Sequence, residues 1–223
     1  MKWSEIYQKE LFLASECYKE CGGYCCNNFF GKYYKILDKE SVVLPMIDDE
    51  YEEYKKRGGI KNVKEKRYEI KVKDKKFVFY LLSCKEKGLC NPHSNRPFIC
   101  RIYPYLPKVN EKGEIIGFNY ASIMDIFYSS KEKHNCPLVR KDYIKEEIKK
   151  NLPKLSAKMI FALMLVDEVF KEIKKFLPEY IDQNDKKKFI SKFEMVILSG
   201  KIFKKIDIVS IYEKVKQYHG EFL

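Results

Sequence analysis

Residues 68–84 read YEIKVKDKKFVFYLLSC. Tyr68, Ile70 and Val72 alternate with charged residues, which is the two-residue period of a strand with one buried face. Asp74, Lys75 and Lys76 supply a polar turn, and Phe77, Phe79 and Leu81 resume the alternation. The stretch predicts a β-hairpin whose second strand runs straight into Cys84, so that a rigid strand end presents a thiol. A second hairpin is expected around the turn NEKG, Asn110 to Gly113, with Ile115, Ile116 and Phe118 on the returning strand. Upstream, YYKIL and SVVLPMI are further short β-prone runs.

Helical signals flank these strands. Trp3, Ile6, Tyr7, Leu11, Ala14 and Cys17 recur at helical intervals, predicting a helix over residues 3–17 that delivers the first cysteine and ends before Gly22 and Gly23. Asp48 to Arg57 reads as a charged helix closed by Gly58 and Gly59. Beyond Cys136 the chain lacks cysteine and turns helical. Ser156 can cap a long helix with Ile160, Leu163, Val166, Phe170, Ile173 and Leu177 along one side, and Pro178 follows. Asp185 to Leu198 and Asp207 to Tyr218 are shorter amphipathic segments. The fold class expected is α+β: a small cysteine-rich domain with short strands and hairpins over residues 1–140, then a helical extension or lid over residues 141–223.

At 223 residues, 45% hydrophobic and 15% aromatic, the chain can bury a core without covalent staples. Glu5, Lys9, Glu10 and Glu16 break any signal-peptide core near the N-terminus, so a cytoplasmic location is expected. The longest apolar stretch, Met159 to Val166, falls far short of the roughly 20 residues that span a bilayer. The net charge of +12 could suit nucleic acid, but it is spread: 18 basic against 13 acidic residues from Lys141 onward, and 26 against 19 before it. No basic stripe with interleaved aromatics is present, so nucleic acid is not expected as a partner.

The cysteines are Cys17, Cys21, Cys25, Cys26, Cys84, Cys90, Cys100 and Cys136. Four disulfides would suit a short secreted chain, whereas concentrated thiols in a reducing compartment point to metal or redox chemistry. Several thiolates must then converge on one centre, and Gly22, Gly23, Gly88, Pro92 and Pro97 break regular structure where ligand loops need it. All eight cysteines are therefore candidate metal ligands. Soft thiolates suit an iron–sulfur cluster or zinc. There is no C-x2-C knuckle of the zinc-ribbon or rubredoxin kind, no G-x-G-x-x-G and no Walker A sequence. Cys17, Cys21 and Cys25 follow C-x3-C-x3-C, one residue longer than the triad of radical S-adenosylmethionine enzymes.

The segments CGGYCC at Cys21 to Cys26, GLCNPHSNRPFICRIYPY at Gly88 to Tyr105, and Cys136-Pro137 together resemble the YkgJ or CxxCxxCC family, described as zinc- or iron-chelating. The middle segment, with Arg96-Pro97 and Cys100-Arg101-Ile102-Tyr103-Pro104, carries the resemblance most specifically. The first cluster departs from the family spacing of C-x2-C-x2-CC, which bears on Cys17. Flagellin lysine N-methylase is a looser relative whose similar region is associated with an iron–sulfur cluster. The resemblance implies a cysteine-ligated cluster, 4Fe–4S in first place and zinc as the alternative. It also implies a protein or small-molecule substrate, against the competing reading of a structural zinc-binding interaction module without activity.

Around the cysteines, Arg96 and Arg101 are candidates to hydrogen-bond cluster sulfurs or an anionic ligand. His93 is either a further ligand or an ordinary turn histidine. Tyr103 and Tyr105 either shield the centre or pack in the core. The acidic run Asp48, Asp49, Glu50, Glu52 and Glu53 reads as a solvated helix start, where the macrodipole favours negative charge.

Overall fold

The computed structural model describes residues 2–12, 22–27, 41–90, 92–122, 125, 131–176 and 202–223. The predicted hairpin is present as β2 (Val63–Val72) and β3 (Lys75–Cys84), paired antiparallel with Tyr68 opposite Phe79 and Val72 opposite Lys75. The turn is one step earlier than the charge pattern suggests, at Lys73 and Asp74. SVVLPMI supplies β1 (Val42–Ile47), which pairs with the other side of β3 and completes a sheet of order β1-β3-β2. Pro45 has no N–H to give to a ladder, and β1 is an edge strand, where that loss is tolerated. The second hairpin forms β4 (Tyr105–Val109) and β5 (Ile115–Tyr120) around the NEKG turn, as a separate two-stranded sheet.

The first helix, α1 (Trp3–Gln8), buries Trp3, Ile6 and Tyr7 and is not continued over residues 9–12, while residues 13–17 of the expected helix lie outside the described residues. Its end has a tertiary cause: the carbonyls of Tyr7 and Lys9 accept from the Arg101 guanidinium instead of from later turns of the helix. A four-residue helix α2 (Tyr24–Asn27) carries Cys25 and Cys26. Helix α3 (Asp48–Lys56) ends as the sequence suggests: Gly58 and Gly59 take φ of +85° and +63°, and their N–H groups return to the carbonyls of Lys55 and Tyr54, both at 2.9 Å. A short helix α4 (Phe98–Ile102) holds Cys100 and Arg101.

The region after Cys136 is helical: α5 (Tyr143–Asn151), α6 (Ala157–Phe176) and α7 (Ile208–His219). Ser156 Oγ accepts from Met159 N–H at 3.3 Å, so the predicted cap is made, and Asp207 Oδ1 caps α7 by accepting from Ser210 N–H at 2.9 Å. Helix α6 packs on β4 and α7, and Phe161 meets Phe77 of β3 edge-on at 5.0 Å between ring centres. Ile160, Phe161 and Ile173 are at most 1% exposed, within one apolar core shared with Ile6, Leu82 and Ile102 of the first 140 residues. The molecule is thus α+β, with its helical part built into the core of the strand-bearing part. No described helix is long and apolar enough to cross a membrane. Leu177, Pro178, the YYKIL run and the segment Asp185 to Leu198 lie outside the described residues.

Candidate metal centre

Four separate chain segments carry Cys25 and Cys26, Cys84, Cys90 and Cys100. Gly22 and Gly23, at φ of +61° and +71°, turn the chain into α2, where Cys26 N–H closes onto Gly23 carbonyl at 2.8 Å. Cys84 ends the central strand β3, opposite Val42 on one side and Val63 on the other, so the sheet fixes it on both flanks. The following loop doubles back through Lys87 and Gly88, with Leu89 N–H on Glu86 carbonyl at 2.8 Å, and places Cys90. Buried Asn95 anchors the far end of that loop by donating to the carbonyls of Arg57 and Gly59, each at 2.8 Å. Cys100 then sits in α4, its N–H on Pro97 carbonyl at 2.9 Å.

Among the described residues, the thiols act on one another's protonation without being gathered as a ligand set. Burial pushes the Cys100 thiol well up, and Cys25, Cys90 and Cys84 each add to the rise. Cys90 is pushed up to about 11, by burial first and then by Cys84. Cys25 is raised strongly by the Cys26 thiol, whose sulfur is 3.7 Å away, and by burial. Cys84 is raised mainly by burial. Without a compensating cation these groups are held as neutral thiols. The six described cysteines, Cys25, Cys26, Cys84, Cys90, Cys100 and Cys136, form no disulfide with one another. Among the described residues no three Cys, His, Asp or Glu side chains converge as ligands to a single ion. Cys17 and Cys21 lie outside the described residues.

The two arginines take different positions. Arg101 is 3% exposed and saturated by backbone: Nε donates to Arg96 carbonyl at 2.9 Å, Nη1 to Lys9 carbonyl at 3.0 Å, and Nη2 to the carbonyls of Tyr7 and Ser94. Its guanidinium also lies 5.0 Å from the Tyr7 ring centre. That is a structural clamp between the end of α1 and the cysteine loop, with its donors spent on the backbone. Arg96 pairs with Glu10 through Nη2 at 2.9 Å, while its Nε is buried with no hydrogen-bond partner among the described residues. Arg96 is near enough to Cys90 and Cys100 to favour their thiolate forms. His93 is exposed in a short 3₁₀ turn, and its pKa is lowered by burial and by Arg96.

The acidic run is not uniformly solvated. Asp48 and Asp49 pair with Lys158 of α6 at 2.9 and 2.8 Å, and Glu50 is 2% exposed. Glu50 Oε1 accepts from Phe98 N–H at 2.7 Å and Tyr7 hydroxyl at 3.2 Å, joining α3 to the start of α4. Burial raises its carboxyl to about 7 against those two donors and Arg101. The folded state therefore keeps a proton that the unfolded chain has released, and stability falls as pH rises from the ordinary carboxylate range through about 7. The loss is about 3 kcal/mol once the carboxylate is fully ionised. Glu50→Gln keeps an oxygen for both donors. It is expected to abolish this slope and to raise the urea midpoint at pH 8; parallel pH profiles for variant and wild type would refute the assignment.

A second buried polar group lies behind the thiols. Asp125 accepts from Tyr24 hydroxyl at 3.0 Å and from Tyr103 hydroxyl at 2.6 Å, and His134 Nε2 is 3.3 Å from the same carboxylate. His134 Nδ1 accepts Cys136 N–H at 3.0 Å, which places the ring hydrogen on Nε2. Burial, then Asp125, holds the Tyr103 phenol protonated far above its ordinary range. Cys136 is buried at 3% exposure, close enough to Tyr103 and Tyr105 to raise both phenols. Tyr105 is a core residue whose hydroxyl donates to Val139 carbonyl at 2.8 Å. Neither Asp125 nor His134 carries a sequence signal, because single polar residues between Ser122 and Cys136 show neither periodicity nor ligand spacing.

The apolar face of α6 packs against β4, Phe77 and α7. An open groove of about 650 Å³ runs elsewhere, past Tyr54, Lys55, Gly59, Ile60 and Glu65, without a cysteine or either arginine. No family model, no curated protein and no solved structure matches the chain.

Proposed function

We propose that this chain holds a thiolate-bound metal centre, an iron–sulfur cluster before zinc, in the cytoplasm. The described candidates to hold it are Cys25, Cys26, Cys84, Cys90 and Cys100, with Cys17, Cys21 and Cys136 as the remaining ones. The observation that carries the reading is the environment of Cys100. Thiols from three other segments, at Cys25, Cys84 and Cys90, act on it electrostatically in a buried setting. Those three thiols disfavour ionisation of Cys100, and a bound cation would reverse that sign and favour the thiolate ligands. The Nε–H of Arg96, without a hydrogen-bond partner among the described residues, is a fitting donor to a thiolate or cluster sulfur. The motif resemblance to the YkgJ family supports the same reading from sequence.

Fully thiolate-ligated iron would supply electron transfer or a structural tie, and an iron position left open would admit a protein or small-molecule substrate. Asn95 and Arg101 hold the loop that carries Cys90 and Cys100, and the sheet holds Cys84. Serine at Cys90 or at Cys100 is expected to reduce bound metal and lower thermal stability together, as metal analysis and melting curves on the same samples would record. Full occupancy with unchanged melting in both variants would remove these two residues from the site. Stoichiometric zinc without iron would keep the thiolate centre and replace the cluster with a structural zinc module.

A further inference from the structure

We propose that Asp125 is a positioning residue that pins the two thiol-bearing segments to each other through the two oxygens of one carboxylate. Oδ1 accepts from Tyr24, the residue immediately before Cys25 and Cys26; Oδ2 accepts from Tyr103, three residues after Cys100. The two tyrosines are far apart in sequence, and each stands at the edge of the helix that bears its thiols, α2 and α4. Asp125 is 0% exposed, so both hydrogen bonds form in a low dielectric, where a carboxylate binds phenolic donors most strongly. His134 Nε2 approaches the same carboxylate at 3.3 Å, and its ring is oriented by Cys136 N–H on Nδ1 and packed by the rings of Tyr24 and Tyr120, with centres at 5.8 and 4.9 Å. Arg140 Nη1 donates to His134 carbonyl at 3.0 Å and holds that strand of chain in place. The carboxylate therefore sits in a rigid frame, and the distance between Cys25 and Cys100 is set through it. This inference deepens the metal-centre reading and rests on it for the consequence, but not for the positioning itself.

The test separates the two. In metal-free protein held well below its melting temperature, iodoacetamide alkylation of each cysteine is followed by peptide mass spectrometry. Asp125→Ala is expected to speed alkylation of Cys25, Cys26 and Cys100 about tenfold or more, the scale of losing charge-assisted hydrogen bonds that oppose local opening. Cys84, held by β3, should be unchanged. Tyr24→Phe should affect Cys25 and Cys26 while leaving Cys100, and Asp125→Asn, which keeps one acceptor oxygen, should fall between wild type and alanine. Unchanged rates, or an equal acceleration at every cysteine including Cys84, would overturn the proposal, the latter by showing only general destabilisation. In a second arm zinc(II) is competed from wild type and Asp125→Ala by a chromophoric chelator, and the variant is expected to bind about 10–100-fold more weakly. Equal affinity would also overturn the positioning role. A wild type that binds no metal would retire the metal centre, and the alkylation contrast would still decide whether Asp125 sets the thiol geometry.

Discussion

Replacing Arg101 with methionine is expected to cost the folded state about 3–5 kcal/mol, the range for removing one member of a buried, hydrogen-bonded charged set. The side chain is closed off from solvent, and the change would strip donors from the carbonyls of Tyr7, Lys9, Ser94 and Arg96 at once. Those four carbonyls come from the end of α1 and from the loop between Cys90 and Cys100, so the loss falls on the junction that places the cysteine loop. Arg101→Lys should recover only a minor part, because an ammonium offers its donors from one point and cannot reach carbonyls arrayed around a planar fork. Urea unfolding is the measurement, with a shifted midpoint at unchanged slope as the signature of lost native stability. A methionine variant within 1 kcal/mol of wild type would contradict the clamp.

The second large effect concerns the proposed metal. Removing it by chelation is expected to lower the melting temperature by roughly 10 °C, since tight binding to the folded state alone contributes about 4 kcal/mol and each kcal/mol moves a chain of this size by about 2–4 °C. The effect should vanish in the Cys100→Ser variant, whose apo and treated forms should melt together. Identical melting of loaded and stripped wild type would mean that the thiols do not use metal to tie their segments. The segments at stake are α2, the end of β3, the Cys90 loop and α4.

The parts of this fold that were legible in the sequence are those in which local chemistry and tertiary packing agree. The alternation from Tyr68 to Leu81, the NEKG turn, the glycines after α3 and the cap at Ser156 each name an element that the structure contains. Cys84 at a strand end followed from the same pattern. What was not legible depends on partners distant in the chain. Helix α1 ends early because Arg101, more than 90 residues away, takes the carbonyls of Tyr7 and Lys9. Glu50 looks like its acidic neighbours until the fold buries it against Phe98 and Tyr7. Arg101 and Arg96 read alike beside a cysteine, yet one is spent on backbone and the other keeps a buried donor near the thiols. Asp125 gains its meaning only from Tyr24 and Tyr103, whose closeness no local pattern encodes.

Anaerobic purification followed by a visible spectrum and by iron, acid-labile sulfide and zinc analysis tests the central claim most directly. The expected result is a brown protein with broad thiolate-to-iron charge-transfer absorption and with iron and sulfide in cluster proportions, lost when Cys90 or Cys100 is serine. A colourless protein that contains neither iron nor zinc, and takes up neither on reconstitution, would contradict it.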